Sequence, residues 1–444
     1  MTATTRSPVA IIGGGFSGLA AAYDLCLRGV PCTVYESDPA VGGLAGSFQV
    51  NGADLERFYH HWFTSDEHIM GLVDELGLRD RLVRHRSRTG MYYANRHYRL
   101  ASPMDVLRFD PLPWLDRIRL GVGTLRAARV DDWQALEQVT AAEWTRQMFG
   151  QNAYDVVWEP LLRGKFGEYA DRVSAVWMWN KLKLRGGSRK SGGAEELFYL
   201  RGGFAQLAQR LTERIEELGG RVEVDSPVTG IETSDGSVSA LIVGGEAQPV
   251  SSVLATVALP QLSDIVRDHV DPDVCTNLER IEYLGAVCIV LELDRSLSDT
   301  YWLNVNDLSF PFVGVIEHTN LEPTSEYGGR HIVYLSRYLT ESDPLYRMGD
   351  DDAVAFGLKH LARMFPEMAP DWALDGHVWR ARYAQPIVER GYSALLEQVQ
   401  VPFDNLHLAS MAQVYPEDRG TNYAVRDGRA AAERLMANLD DRAD

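Results

Sequence analysis

Apolar runs and glycines alternate in a regular order along the first fifty residues. Residues 9–12 form a short, partly β-branched apolar run, which predicts a buried parallel strand. The alanine- and leucine-rich stretch 19–28 predicts a helix that ends at Gly29. Residues 32–35 predict a second strand, directly before Glu36. The order strand, helix, strand predicts an α/β unit built on a parallel sheet.

The turn between the first strand and the helix has the pattern G-x-G-x-x-G. Gly13 permits the tight turn, Gly15 lets a pyrophosphate approach the backbone, and Gly18 lets the helix pack closely on the strand. The helix N-terminus offers unpaired N–H groups to phosphates. Glu36, roughly twenty residues after the turn, can accept hydrogen bonds from an adenosine ribose. A plain glycine-rich turn would explain neither this acid nor its spacing. The pattern predicts dinucleotide binding, with these candidate residues: Gly13, Gly15, Phe16, Ser17, Gly18, Glu36 and Ser37.

Three later blocks resemble one family. Residues 37–47 resemble the second glycine doublet of the flavin-dependent amine oxidase and protoporphyrinogen oxidase superfamily, and residues 221–231 and 405–428 resemble its later blocks in the same order. The resemblance implies FAD, with the doublet along its diphosphate, one strand against the adenine and the last turn under the isoalloxazine. It adds these cofactor candidates: Gly43, Leu44, Val228, Ser410, Gly420, Thr421 and Asn422. Because no cysteine-based attachment motif lies near the last of these, we expect the FAD to be non-covalent.

The same resemblance divides the chain into two discontinuous domains. The interpretation is an α/β chain with a Rossmann-like FAD-binding domain and a second α+β substrate domain, which has a mixed sheet and a helical insertion. Helical patterns run through 103–165, and strands are expected at 286–293 and 331–335. The predicted FAD-binding domain consists of 1–95, 195–275 and 375–444, and the substrate domain of 96–194 and 276–374. This layout places a pocket at the domain junction, where ligand sites commonly lie.

Composition excludes several classes of protein. The 444 residues are 45% hydrophobic and 24% charged, which is typical of a globular enzyme rather than a disordered, collagen-like or disulfide-rich chain. The net charge of −18 argues against nucleic-acid binding. The four cysteines form no zinc-ligand pattern, and no metal site is expected. No apolar run reaches the length of a membrane span, and the N-terminus lacks the order of a signal peptide. We expect a cytoplasmic protein without an integral membrane segment, and leave its oligomeric state open.

Two adjacent histidines are the candidate catalytic residues. His60 and His61 lie in the polar aromatic run 57–66, which follows the glycine doublet at the point where family members pass the flavin ring. A histidine can move a proton near neutral pH. Residues 61–63 also resemble a His-Ile-Phe run of UDP-galactopyranose mutases. Both histidines could equally be buried structural donors that hold the loop.

Basic residues are concentrated between Arg163 and Arg201. This stretch holds four of the five lysines on an otherwise acidic chain and has no acid between Lys181 and Lys190. It suggests attraction of a carboxylate or phosphate on a small-molecule substrate, whereas the plain alternative is a solvated, glycine-flanked flap. Candidate substrate residues are Arg185, from this stretch, and Arg382 and Tyr383, from a strand expected to lead back to the flavin.

These observations predict an FAD-dependent oxidoreductase. It would take a hydride from a C–N, C–C or C–O bond of a small, anionic molecule and pass the electrons to oxygen or another acceptor. The alternative is a flavin-dependent, non-redox isomerase of a nucleotide sugar, similar to UDP-galactopyranose mutase, and a third is a non-catalytic flavin-binding partner. Residues 285–289 lack the lysine usual in amine oxidases, and residues 415–419 replace the paired tyrosines usual in the mutases.

Overall fold

The computed structural model describes residues 9–100, 102–187 and 195–441. Its first layer is a parallel sheet of five short strands, in which Val9–Ile12 is central and buried at all four positions. Ile12 pairs with Tyr35 on one side and with Ala255 on the other, so the strand ends are level at one edge of the sheet. The strands, in spatial order, are Arg221–Glu223, Cys32–Tyr35, Val9–Ile12, Ser252–Ala255 and Leu406–Leu408.

Helices cover this parallel sheet and pack on one another through glycines. A Cβ on Gly18 would lie 2.0 Å from the carbonyl oxygen of Gly13, and a Cβ on Gly428 would lie 2.2 Å from the carbonyl oxygen of Ser17. Glycine at position 18 therefore lets the first helix lie close to the turn after the first strand, and glycine at position 428 lets the last helix lie close to the first. The helices here are Phe16–Leu27, Glu67–Glu75, Ala205–Glu217, Leu259–Val266, Pro272–Glu279, Tyr392–Leu396 and Thr421–Asp441.

A mixed sheet of seven strands forms the second layer. Its strand Tyr283–Leu293 is buried at every position after Tyr283, and it pairs antiparallel with strands on both sides. Helices Pro344–Arg347 and Asp350–Met364 pack against it. The spatial order is Ala373–Pro386, Tyr283–Leu293, His331–Leu339, Gly314–Glu317, Trp302–Val305, Thr89–Tyr93 and Arg96–Arg99.

Two of the predicted domain limits, at 95 and at 375, fall within strands of the mixed sheet or between strands that it contains. Residues 89–99 straddle the predicted limit at 95, and both of their strands belong to the mixed sheet. Strand Ala373–Pro386 also lies in the mixed sheet, although most of it falls in the predicted FAD-binding segment 375–444. The strands expected at 286–293 and 331–335 are present, and each is longer than expected. The division into two domains at the stated limits stays a prediction.

The segment between the mixed-sheet hairpin and residue 187 is helical. Two of its helices begin with capping boxes, at Ser102 and at Thr140, in which side chain and backbone satisfy each other's hydrogen bonds. Tyr154–Trp158 forms a π-helical turn. The α-helices are Pro103–Leu107, Trp114–Ala127, Ala141–Phe149, Gln151–Ala153, Glu159–Phe166 and Ala175–Gly187. No helix of the described residues combines the length and the apolarity that crossing a bilayer requires.

Small antiparallel sheets join these layers. One hairpin pairs Ser47–Val50 with Ala53–Glu56, and a three-stranded sheet contains Trp62–Phe63, Glu195–Leu200 and Leu82–Ser87. A ribbon of Val228–Ser234, Ser237–Val243 and Glu246–Pro249 follows the edge strand of the parallel sheet. The loop after the first hairpin, residues 57–61, contacts the mixed sheet, where the hydroxyl of Tyr59 lies 3.3 Å from Ser336 Oγ.

Candidate active site

The glycine turn leaves room at the start of the first helix. Gly13 has a φ of +105°, and Gly15 is the N-cap residue, with no side chain capping the helix. A Cβ on Gly15 would have one neighbour within 4 Å, the Cα of Gly43 at 3.9 Å. Gly42 donates its N–H to the carbonyl of Gly14 at 2.9 Å, which holds the glycine doublet beside the turn. An open helix N-terminus flanked by two glycine segments fits a diphosphate.

Glu36 is buried at the end of the second strand, and its carboxylate accepts several hydrogen bonds. Oε2 accepts from the N–H of Gly14 at 2.7 Å, and Oε1 accepts from the N–H of Asp38 at 2.9 Å and from the hydroxyl of Ser37 at 3.2 Å. Two carboxylate oxygens offer about four acceptor positions, so the side chain can still accept from a ribose. The backbone of Ser226 donates to the carbonyl of Glu36 at 2.8 Å, which brings the segment leading to Val228 to the same place.

Arg57 is a residue that sequence reasoning missed. Its backbone donates to the carbonyl of Gly46 at 2.9 Å, and Nη1 lies 3.6 Å from Asp38. The guanidinium lies over the ring of Trp379, 4.9 Å from its centroid, and Nε is buried with no hydrogen-bond partner among the described residues. A partly buried guanidinium with an unused donor next to a glycine doublet fits an anionic group such as a phosphate. Its position at the start of the polar aromatic run 57–66 was the available signal.

The C-terminal candidates lie at the same edge of the parallel sheet. Ser410 follows the last strand, and the carbonyl of Ala409 accepts from Ser17 Oγ at 3.2 Å. Thr421 Oγ1 accepts from Trp62 Nε1 at 2.7 Å, and Asn422 Oδ1 accepts from the N–H of Ile69 at 3.1 Å. These two side chains therefore fasten the start of the last helix to residues 62–69. A Cβ on the preceding residue, Gly420, would meet nothing within 4 Å.

The two histidines have different surroundings. His60 Nδ1 lies 2.5 Å from the carbonyl oxygen of Phe58, and burial lowers the pKa of His60 to about 4, with the charge of Arg419 acting in the same direction. His60 is therefore neutral at pH 7. Because a carbonyl only accepts, Nδ1 carries the proton and Nε2 is the bare acceptor. His61 Nδ1 lies 3.0 Å from the hydroxyl of Tyr301, on the side of the mixed sheet.

A cluster of charged residues lies where the helical segment, the mixed sheet and the C-terminal loop meet. We call it the junction cluster, and it consists of Lys165, Lys181, Tyr338, Gln385, Asp418 and Arg419. Asp418 Oδ2 lies 2.5 Å from Lys181 Nζ and 3.8 Å from Lys165 Nζ. Arg419 donates from Nη2 to the hydroxyl of Tyr338 at 2.8 Å and from Nε to Gln385 Oε1 at 3.1 Å. No sequence motif indicated this arrangement.

Electrostatics fix the charge state of the junction cluster. Burial by itself would raise the pKa of Asp418, but Lys181, Lys165 and Arg419 together hold that pKa well below its usual range. The Lys165 ammonium lies 5.1 Å from the ring centroids of both Trp177 and Tyr338. The cluster therefore places three cations around one buried carboxylate, beside aromatic walls.

Several cations of the basic stretch are paired with carboxylates, some nearby in sequence and others from distant parts of the chain. Besides the two lysines paired with Asp418, three of its arginines form ion pairs: Arg163 with Glu159 and Asp171, Arg172 with Glu282 and Glu389, and Arg201 with Glu322. Arg185 lies in the last turn of helix Ala175–Gly187, where the structure describes the backbone alone. Residues 188–194, the centre of the expected flap, lie outside the described residues.

Arg382 and Tyr383 lie at the surface. Arg382 is exposed, with Nε 2.9 Å from Glu341 Oε2, and its guanidinium lies 5.1 Å from the ring centroid of Tyr383. Tyr383 contacts Tyr283 edge-on at 5.5 Å. Both line a surface hollow of about 390 Å³. Gln385, two residues after Tyr383 in the same strand, accepts a hydrogen bond from Arg419 and so belongs to the junction cluster.

Comparison with known proteins agrees with the two-sheet architecture. The family described as "Flavin containing amine oxidoreductase" matches residues 16–436. The chain belongs to this family. It therefore carries the family's flavin-binding fold. Protoporphyrinogen oxidase 2 of Arabidopsis thaliana is 24% identical to it over 269 residues, which cover 53% of this chain and 52% of that protein. The chain thus spans about half the length of this curated relative.

Solved structures show the same fold over nearly the whole chain. Reduced UDP-galactopyranose mutase has a TM-score of 0.77 at 16% identity and covers 97% of this chain and 96% of its own. Cyclohexylamine oxidase from Brevibacterium oxydans IH-35A has a TM-score of 0.71 at 16% identity and covers 98% of this chain and all of its own. At these identities the likeness concerns the fold, which hosts different reactions.

Proposed function

We propose that the protein binds FAD without a covalent bond and oxidises a small, anionic molecule at the junction cluster. Family membership supports the flavin, and the open glycine cradle beside Gly15 supports a cofactor with a diphosphate. The observation that carries the substrate assignment is the group of three cations around Asp418, where the helical segment meets the C-terminal loop.

Residues of this chain would hold the cofactor along its length. Glu36 would accept from the ribose, and the N–H groups of Phe16 and Ser17, together with Arg57, would face the diphosphate. The backbone around Gly420 would lie against the ring system. When bound, FAD supplies the acceptor for a hydride and its electron pair, which pass on to oxygen or another acceptor.

The junction cluster would bind and orient the substrate. Arg419 donates to Tyr338 and Gln385, and together with Lys165 and Lys181 it gives the cluster more positive charge than the single carboxylate of Asp418 balances. The excess positive charge favours a carboxylate or phosphate. Trp177 Nε1 is buried and has no hydrogen-bond partner among the described residues, so it can donate to the same ligand. Burial among the aromatic walls excludes water and strengthens these contacts.

His60 is the proton acceptor that fits best. Its Nδ1–H is committed to the carbonyl of Phe58, and the lowered pKa keeps Nε2 unprotonated at pH 7. A neutral imidazole can accept a proton from a substrate N–H or O–H as the hydride leaves. His61, which contacts Tyr301, would hold the loop in place.

A screen of carboxylate- and phosphate-bearing metabolites against the purified protein tests this proposal. Under anaerobic conditions a substrate should bleach the oxidised flavin absorbance, and admitting oxygen or an artificial acceptor should restore it. A nucleotide sugar that is isomerised only after the flavin has been pre-reduced, with no oxygen consumed, would replace the oxidoreductase with the mutase alternative. The cations of the junction cluster could hold a diphosphate equally well, so this experiment separates the two functions.

A further inference from the structure

One face of helix Trp114–Ala127 is apolar and turned to solvent. At about 100° per residue, five of its side chains fall within an arc of about 100°. Trp114, Leu115 and Leu125 are 65%, 62% and 63% exposed. The buried residues Leu120, Gly123 and Ala127 lie on the opposite side and fasten the helix to the protein. We call the exposed set the apolar helix face: Trp114, Leu115, Ile118, Val122 and Leu125.

This concentration of apolar exposure is unusual for the molecule. Of the eleven large hydrophobic residues that are exposed in the described chain, seven lie between Met104 and Leu125. Met104 and Leu107 extend the apolar helix face from the short helix that precedes it. A contiguous exposed apolar patch bordered by polar residues marks a binding surface for a protein or a membrane.

Arginines border the apolar helix face on both sides. By helical angle Arg117 lies on one border, and Arg119 and Arg126 lie on the other. Arg117 donates to the carbonyls of Leu107 and Leu112, and Arg119 donates to backbone carbonyls of the next helix. Within the described residues these three arginines form no ion pair with a carboxylate. Their charge is therefore free for an external anion, on a chain whose net charge is −18.

A groove of about 410 Å³ runs beside the apolar helix face. It is lined by residues of this helix and of helix Ala141–Phe149, and Arg119 and Arg126 lie along it, two turns apart. Val122, Trp144 and Met148 form its apolar part. The groove thus combines two cations with an apolar wall, which matches a phosphate headgroup attached to acyl chains.

We propose that the apolar helix face docks on the surface of an anionic phospholipid bilayer. The helix lies parallel to the membrane, its apolar side chains enter the headgroup boundary, and Arg117, Arg119 and Arg126 contact lipid phosphates. Charge decides between the possible partners. A second copy of this chain packed across a two-fold axis would set the same arginine borders against each other. An anionic lipid surface offers acyl chains to the apolar helix face and phosphates to the arginines that border it.

Vesicle co-sedimentation of the full chain tests this surface. We expect the protein to sediment with vesicles of phosphatidylglycerol and phosphatidylcholine, and at least tenfold less with phosphatidylcholine alone. Trp114→Ser combined with Leu115→Ser should lower binding at least tenfold, and so should Arg119→Gln combined with Arg126→Gln. The second pair should act mainly at low salt, because screening weakens its contribution. Leu308 and Leu374 are 56% and 51% exposed away from this face, so Leu308→Ser combined with Leu374→Ser is the matched control.

Four results would overturn the proposal. The wild-type protein could fail to bind anionic vesicles or bind neutral ones equally well, or the control variant could lose as much binding as the variant at Trp114 and Leu115. A dimer detected by light scattering that Leu115→Arg dissociates would show that a second copy covers this face. Circular dichroism and flavin content of each variant, unchanged from wild type, confirm that a loss of binding arises at the surface.

Discussion

The carboxylate of Asp418 lies 2.5 Å from the ammonium of Lys181, although one belongs to the C-terminal loop and the other to the helical segment. Asp418 is buried, and its pKa is held well below the usual range by the cations around it, against the opposing effect of burial. This ion pair holds the C-terminal loop against the helical segment. It also sets the charge of the junction cluster, where we propose that the substrate binds.

Asp418→Asn should destabilise the protein by about 3 kcal/mol. Removing one partner of a buried charge pair leaves the other charges uncompensated, here Lys181, Lys165 and Arg419. Urea unfolding measures the effect. The exposed pair of Arg28 and Glu433, 3.3 Å apart, is the matched control, and Glu433→Gln should cost less than about 1 kcal/mol. If both variants lower the free energy of unfolding by the same amount, the buried ion pair contributes no more to stability than the exposed one.

Lys181→Met should raise KM far more than it lowers flavin content. It removes a cation from the junction cluster without touching the glycine turn. The KM of the wild type should itself rise with ionic strength, since the Debye length falls from about 10 Å at 0.1 M to about 3 Å at 1 M. Lys359→Met, in helix Asp350–Met364 of the mixed-sheet layer, is the control. If KM changes neither with ionic strength nor in the Lys181→Met variant, the substrate is not recognised as an anion at this cluster.

Gly18→Ala should abolish flavin binding or folding. The added methyl group would lie 2.0 Å from the Gly13 carbonyl oxygen, so the first helix could not stay against its strand. Gly71 offers a matched control, because it also lies within a helix and a Cβ there meets nothing within 4 Å. Gly71→Ala should leave stability unchanged or raise it by up to about 1 kcal/mol. Flavin content and the thermal midpoint report both results, and a normal holoprotein from Gly18→Ala would contradict the close packing.

Glu56 should make stability decrease as pH rises. This carboxyl is fully buried and accepts from the hydroxyl of Tyr199 at 2.8 Å and from the N–H of Phe204 at 2.6 Å, and burial raises its pKa to about 7. A carboxyl whose pKa is raised on folding contributes stability that is fully present below about pH 4.5 and is lost as pH rises through about 7. The free energy of unfolding, measured from pH 5 to pH 8, should fall more steeply for the wild type than for Glu56→Gln. Parallel curves for the two proteins would mean that Glu56 does not titrate in this range.

His60→Ala should keep FAD and lose roughly 10²–10⁴-fold in turnover. Because burial lowers the pKa of His60 to about 4, kcat/KM of the wild type should show no inflection from this residue between pH 6 and pH 8 and should fall near pH 4. His68→Ala, at an exposed position of helix Glu67–Glu75, is the control and should be silent. An undiminished rate for the His60 variant would make this histidine a structural donor.

Local chemistry explains what could be predicted from the sequence. The glycine turn and the acid after the second strand follow from contacts within forty residues, where steric needs and hydrogen bonds have a fixed spacing. The flavin family predicted from these residues was confirmed by a match over residues 16–436. The long buried strand Tyr283–Leu293 was recognisable because a central strand is apolar on both faces.

Long-range pairing explains what could not be predicted. No acid lies between Lys181 and Lys190 in sequence, but Asp418, from the far end of the chain, supplies a carboxylate to Lys181. The centre of the expected flap, residues 188–194, lies outside the described residues. The role of Arg57 was likewise hidden, because its unused donor depends on how the loop packs on Trp379. Ion pairs of this kind have no sequence period, so only the fold reveals them.

Flavin release from the purified protein tests the central claim most directly. We expect a yellow protein that, on heat denaturation, releases about one FAD per chain into the supernatant, because the open cradle at Gly15, the acceptor Glu36 and the guanidinium of Arg57 together fit one dinucleotide. Glu36→Ala should lower the amount retained, since a hydrogen bond to a charged acceptor contributes roughly 1.5–3 kcal/mol. A colourless protein that releases no flavin and binds none when FAD is added would contradict the account.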